Sequence, residues 1–277
     1  MSRPLLVATI CALAHVGCGG DSEEESAPPE PPAWNHDPSD PDEGPTAWGE
    51  IDRSFEICRT GFAQSPVELS VAVTADLPQL ELDYPTTLLV VENTGHTIEV
   101  PMPENGDQTL TVGDDKYRLL QYHFHAPSEH TFEGESSDAE VHLVHESEDG
   151  DVAVIGILLA AGEQPSPLVD VVLESAPEDA GEEVEIDEEH SPLEIVLGAT
   201  DATGAAITGY TVYPGSLTTP GCTEGVRWIV LGAPLDISQS TIDRLHELIA
   251  DFPGYDGYEN NNRPTQPLND RKIERDS

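Results

Sequence analysis

The residues best suited to chemistry lie between Gln121 and His145, in the stretch QYHFHAPSEHTFEGESSDAEVHLVH. His123 and His125 sit two residues apart within the apolar and aromatic run Tyr117 to Phe124, a strand-like pattern. Side chains two apart on a strand point to the same face, so these imidazoles project together. A polar, glycine-containing connection follows, then a second strand candidate, Ala139 to Glu146, with His142 in its middle. If the two strands pair, three imidazoles converge on one point. Three nitrogen ligands and one open position form the pattern of a catalytic rather than a structural zinc centre. Gln121 shares the face of His123 and His125, and Glu140 shares that of His142, so each can take the second N–H of a ligating ring and fix its tautomer. An H-x-H alone would read as surface histidines on an ordinary strand. The third histidine, with polar residues in phase on both strands, favours the metal.

Further elements must position this pair. Leu80 to Tyr84, Thr87 to Glu92 and Thr97 to Val100 read as short strands, and Val152 to Ala160 as an apolar strand of central type. Leu168 to Leu173 has a helical pattern. Thr241 to Asp251 reads as a helix with Ile242, Leu245, Leu248 and Ile249 on one stripe and Ser240 as its N-cap. Leu193 and Leu197 flank a segment leading into a core strand. The acidic run Glu178 to Glu189 reads as a solvated loop whose spacing does not match an EF-hand calcium loop. Asp270 to Ser277 reads as a frayed polar end.

The chain has 277 residues, which suits one large domain with appendages. Its 54 acidic and 11 basic residues give a formal net charge of −43. Nucleic acid is therefore a poor partner, since phosphate recognition needs a basic footprint, and an anionic lipid surface would repel the chain. Residues Met1 to Gly17 carry one early positive charge and then an apolar run too short to span a bilayer, as in a signal peptide. The following V-G-C-G-G-D resembles a bacterial lipoprotein cleavage box with Cys18 as the lipidated residue; a plain secretory signal cut near Cys18 is the alternative. Asp21 to Pro45 is acidic, rich in proline and free of Lys and Arg, so residues 18–47 read as a self-repelling spacer in which Trp34 is the exception. The folded domain is expected from Trp48 to Ser277. With Cys11 in the signal and Cys18 lipidated, Cys58 and Cys222 remain, and an even remainder in an exported protein implies a disulfide.

The segments Q-Y-H-F-H, S-E-H-T and A-E-V-H-L-V-H resemble those of the α-class carbonic anhydrases. So do Q-S-P at Gln64, N-T-G-H-T at Asn93, Y-P-G-S-L-T-T-P at Tyr213 and N-N-R-P-T-Q-P-L-N at Asn261, in the expected order from Trp48 to Asn269. The resemblance implies a mainly β (α+β) single domain on a large, mostly antiparallel twisted sheet with short peripheral helices. It implies Zn2+ on His123, His125 and His142, and reversible hydration of carbon dioxide to bicarbonate and a proton by zinc-bound hydroxide. His96 would be the proton shuttle, and Thr218 would donate to Glu129 while orienting the hydroxide. Val144, Val154, Leu217 and Trp228 would line the carbon dioxide pocket, with Thr219 on the substrate or product side. The Asn261 carbonyl would orient His125. After the pair Trp48-Gly49 the family often has a tyrosine in its hydrogen-bond network; Glu50 stands nearby instead. Two other classes compete. A non-catalytic carbonic-anhydrase-like module usually lacks a zinc histidine, and a zinc-storing surface lipoprotein would hold several weak sites, such as His36 and His190. Oligomeric state is not legible in the sequence.

Overall fold

Apolar residues alternate along Asp115–His125, but their phase changes midway: Tyr117 and Leu119 are buried, and then Tyr122 and Phe124. A β-bulge between Leu119 and Gln121 accounts for this. One extra residue turns the following side chains over, so Leu119 faces the core while Gln121 and His123 face the other way. The computed structural model describes residues 32–163, 166–198, 206–207 and 209–276. The proposed signal segment, Cys18 and the first part of the acidic spacer lie outside the described residues.

The Asp115–His125 strand sits inside a fourteen-stranded sheet. Its main path runs Val73–Ala75, Glu274–Asp276, Tyr210–Ser216, Glu224–Leu231, Val152–Ala161, Ala139–Ser147, Asp115–His125, Ile98–Pro101, Thr87–Asn93 and Glu183–His190. The expectation of a mostly antiparallel sheet is corrected: the sheet is mixed. Val152–Ala161 pairs in parallel with both Glu224–Leu231 and Leu235–Ile237, and Val73–Ala75 pairs in parallel with Glu274–Asp276. The helices Pro167–Ser175, Leu193–Gly198 and Gln239–Ala250 are peripheral.

One cross-strand row organises the sheet. Glu183 lies opposite Glu92, Glu92 opposite Glu99, Glu99 opposite His123, His123 opposite His142, and His142 opposite Gly156. Paired residues share a face, so this row lies on one side. On the other side, Leu89, Val91, Ile98, Val100, Tyr122, Phe124, Val141 and Leu143 are buried in the main core. His145 is on that side too, buried with Nε2 2.5 Å from the Tyr84 hydroxyl. Gly156 is required by close approach, because a Cβ there would come within 2.7 Å of the Glu140 carboxylate beneath His142.

Four local expectations are corrected. The acidic Glu183–His190 segment is an edge strand on Thr87–Asn93, anchored by buried Ile186. Its charged side chains suit an edge that must not pair further. The C-terminal Glu274–Asp276 is a strand, and Ile273 before it is buried. The last long helix starts two residues earlier than its apolar stripe suggests, with Ser238 rather than Ser240 as the cap, accepting from Thr241 N–H. Leu193 to Leu197 is helical.

The folded unit also begins earlier than Trp48, at Pro32. Buried Asn35 and His36 anchor it, and the buried Trp48 indole donates to Asn35 O and Glu43 O. The Cys58–Cys222 disulfide ties the start of this unit to a loop 164 residues later. Closing a loop of that length stabilises by roughly 5 kcal/mol in the chain-entropy account. Reduction, or Cys58→Ser with Cys222→Ser, is therefore expected to lower the melting temperature by about 10 °C, read by calorimetry with and without reductant. An unchanged midpoint would contradict the contribution assigned to this bridge.

Candidate metal centre

His123, His125 and His142 come together: one nitrogen of each lies within 4.8 Å of the others. Each remaining nitrogen faces an acceptor. His123 Nδ1 is 2.8 Å from Gln121 Oε1, and His125 Nδ1 is 2.9 Å from the Asn261 carbonyl oxygen. His142 Nε2 lies 3.1 Å from Glu140 Oε1, an ion-pair distance outside hydrogen-bond geometry. That leaves His123 Nε2, His125 Nε2 and His142 Nδ1 as the free set. His125 Nε2 is buried with no hydrogen-bond partner. A buried donor nitrogen is costly to leave unsatisfied, so the donor set fits a metal ion.

Burial holds all three rings neutral, which is the ligating form. Burial lowers His125 to about 4, against a smaller upward pull from the Asn261 carbonyl. His123 falls well below the ordinary histidine value through burial and then its neighbours His125 and His142. His142 is also lowered by burial, with Glu140 opposing.

Beneath the triad lies a buried polar scaffold. Glu140 Oε2 accepts from the backbone N–H groups of Glu129 and His130, each at 2.9 Å, and Oε1 is 2.7 Å from His130 Nδ1. Burial pushes the Glu140 carboxyl up, but His130 and His142 outweigh it and hold it well below the carboxylate range. His130 Nε2 continues to the Tyr213 hydroxyl at 2.6 Å, which donates to Ser65 Oγ. His130, Glu140 and His142 also cluster as potential ligands, yet both His130 nitrogens are engaged in this network.

Glu129 Oε1 accepts from the Arg263 backbone N–H at 2.8 Å. Its Oε2 has no aligned partner and lies 3.7 Å from both His125 Nε2 and His142 Nδ1. Burial raises this carboxyl to about 7, against downward pulls from His142, the Arg263 N–H and the Thr218 hydroxyl. Arg263 is itself buried, donating to Ser65 O and Cys58 O.

The apolar residues named from the sequence take different depths. Trp228 and Val154 are buried, and Trp228 packs edge-on against His142 at 4.8 Å. Val144 and Thr219 are half-buried, and Leu217 is exposed. The spacer residue Trp34 docks on the domain: its ring stacks on His96 at 3.8 Å and 12°. His36 lies beside it, its Nδ1 hydrogen-bonded to the Tyr255 hydroxyl and its ring 6.5 Å from His125. Glu50 is on the surface, paired with Arg59, so Trp34 and His36 are what border this end of the site. Sequence reasoning missed Arg263, His36 and Tyr255. The signal for the first two was an isolated charge or aromatic pair in a segment of opposite character.

The family model described as eukaryotic-type carbonic anhydrase matches residues 43–277. The chain is 35% identical over 235 residues to a carbonic anhydrase of Nostoc sp., covering 83% of this chain and 82% of that one. It is 35% identical over 231 residues to one of Neisseria gonorrhoeae, covering 83% and 84%. Among solved structures it is similar to the α-carbonic anhydrase of Thermovibrio ammonificans in complex with sulfanilamide, with a TM-score of 0.77, 32% identity, and coverage of 88% and 99%.

Burial lowers His96 to about 4 in its place beneath Trp34. Trp34→Ala uncovers the ring, so its midpoint is expected to rise toward the ordinary histidine value of about 6.5. Proton NMR of the imidazole C–H signals checks this; a midpoint that stays near 4 would contradict it.

Proposed function

The chain belongs to the eukaryotic-type carbonic anhydrase family, and on that footing we propose that it catalyses reversible hydration of carbon dioxide to bicarbonate and a proton at a zinc centre. The observation that carries this reading is the free set of three neutral imidazole nitrogens, each ring held from behind by a separate acceptor. When bound, zinc supplies a Lewis acid that lowers the pKa of water to about 7, the value established for carbonic anhydrase itself.

The protein's residues do the rest. His123, His125 and His142 hold the ion, while Gln121, Asn261 and Glu140 fix their tautomers. Glu129, held by the Arg263 N–H, accepts a hydrogen bond from the Thr218 hydroxyl and so aims the Thr218 lone pairs at the reacting oxygen. Half-buried Val144, with Val154 and Trp228 behind it and Leu217 at the rim, offers carbon dioxide an apolar wall that gives water no partner. Thr219 lies on the product side. His96 carries the proton to buffer after its ring leaves the Trp34 stack, since in the stack its low pKa makes it a weak acceptor.

The disulfide suits an oxidising compartment. Among the described residues no helix is long and apolar enough to cross a membrane. The disulfide supports the reading that the domain is exported, with the removal of residues 1–17 and the lipidation of Cys18 proposed from the sequence alone. A non-catalytic module has no supporting observation here, because the ligand set is complete.

His142→Ala is expected to lose zinc and hydration together. His96→Ala should keep one zinc per chain and lose about tenfold or more in rate at low buffer, with imidazole buffer restoring most of it. Zinc analysis and stopped-flow hydration on the same samples check both. Hydration retained in zinc-free protein would overturn the proposal.

A further inference from the structure

The row that carries His123 and His142 does not end at the metal ligands. It continues outward through Glu99 and Glu92 to Glu183 at the sheet edge. Glu99 and Glu92 are half-buried on the same face as the ligands. Neighbouring strands lie about 4.8 Å apart, so Glu99 stands about 5 Å from His123 along the row, Glu92 about 10 Å and Glu183 about 14 Å. Among the described residues, neither Glu92 nor Glu99 is in an ion pair with Lys or Arg. Only burial and then Glu92 act on the Glu99 carboxyl, and both raise it, to about 7. Beside the row, two residues on from His123, His125 Nε2 is buried without a hydrogen-bond partner, which marks where an ion would sit. The opposite wall, Val144 with Val154 and Trp228, is uncharged.

We infer that Glu99, backed by Glu92, is a specificity-determining residue that disfavours anions at the metal centre and so admits the neutral substrate while speeding release of bicarbonate. This rests on the zinc reading above. Above about pH 7, where Glu99 is ionised, a negative charge one strand away raises the free energy of any anion at the ion, while a neutral molecule is unaffected. Distance ranks the contributions. Each further strand adds about 5 Å, against a physiological screening length of about 8 Å, so the contributions fall in the order Glu99, Glu92, Glu183. The outer carboxylates therefore add little at physiological ionic strength, and the effect falls mainly on Glu99.

The test uses thiocyanate as the anionic probe and 1,2,4-triazole, which is neutral across pH 6 to 9, as the uncharged metal-binding probe, against hydration by the zinc-loaded protein. Inhibition constants are fitted over pH 6 to 9 to separate competition by hydroxide. Glu99→Gln is expected to tighten thiocyanate by roughly five- to tenfold above pH 7 and to change 1,2,4-triazole less than twofold. Glu99→Asp should stay near the wild type, and Glu92→Gln should have a smaller effect than Glu99→Gln. Equal thiocyanate constants for wild type and Glu99→Gln, or parallel changes for both probes, would overturn the inference. A wild-type protein with no zinc or no hydration would instead defeat the zinc reading on which it rests. Zinc content and the melting midpoint, measured on each variant, separate a charge effect from a disturbed fold.

Discussion

The pairing of Asp115–His125 with Ala139–Ser147 is the constraint on which the centre depends. It sets His123 opposite His142, and the pleat adds His125 to the same face. A slip of one residue would turn His142 into the core and bring Val141 or Leu143 out. The register is therefore held twice, by the buried Tyr122, Phe124, Val141 and Leu143 on one face and by the ligands on the other. The bulge at Leu120 makes this possible. It lets one strand serve the core with Tyr117 and Leu119 and then present Gln121 and His123 to the site.

Holding three neutral imidazoles around one point requires acceptors on their far sides, and one of those acceptors, Glu140, is a buried charge. Desolvating a carboxylate costs several kcal/mol unless hydrogen bonds and opposite charge offset it. Glu140 meets that cost with two backbone N–H groups and His130, and Gly156 leaves the space its carboxylate needs. Glu129 is less fully satisfied, and burial wins over its partners. The two carboxylates are eleven residues apart in sequence and linked through the Glu129 N–H, yet burial and partners push their pKa values in opposite directions. Glu140 is a fixed charge beneath the metal ligands, while Glu129 keeps a free oxygen toward them.

Much of this was legible in the sequence. The H-x-H spacing and His142 on a partner strand gave the ligand face, because a period of two is all a strand needs to place them. The cysteine arithmetic gave the Cys58–Cys222 bridge, which is present. Other features were hidden for physical reasons. The average composition of the spacer is acidic and rich in proline, whereas folding of residues 32–47 rests on Trp34, Asn35, His36 and Trp48. Glu274–Asp276 and Glu183–His190 are edge pairings made by backbone hydrogen bonds, which a polar side-chain pattern does not announce. Parallel pairings of Val152–Ala161 join segments far apart in the chain, beyond the reach of local periodicity. The acidic row from Glu99 to Glu183 becomes visible only once register is known.

The central claim is that this register builds an open three-histidine zinc centre that hydrates carbon dioxide. The most direct test is stopped-flow hydration of carbon dioxide by the folded unit from Pro32 onward, with zinc measured on the same sample. The account predicts one zinc per chain and fast hydration abolished by a chelator and restored by zinc. One tightly held zinc with no hydration would contradict it, since the ligand set would then be intact while the residues around it failed to perform the reaction.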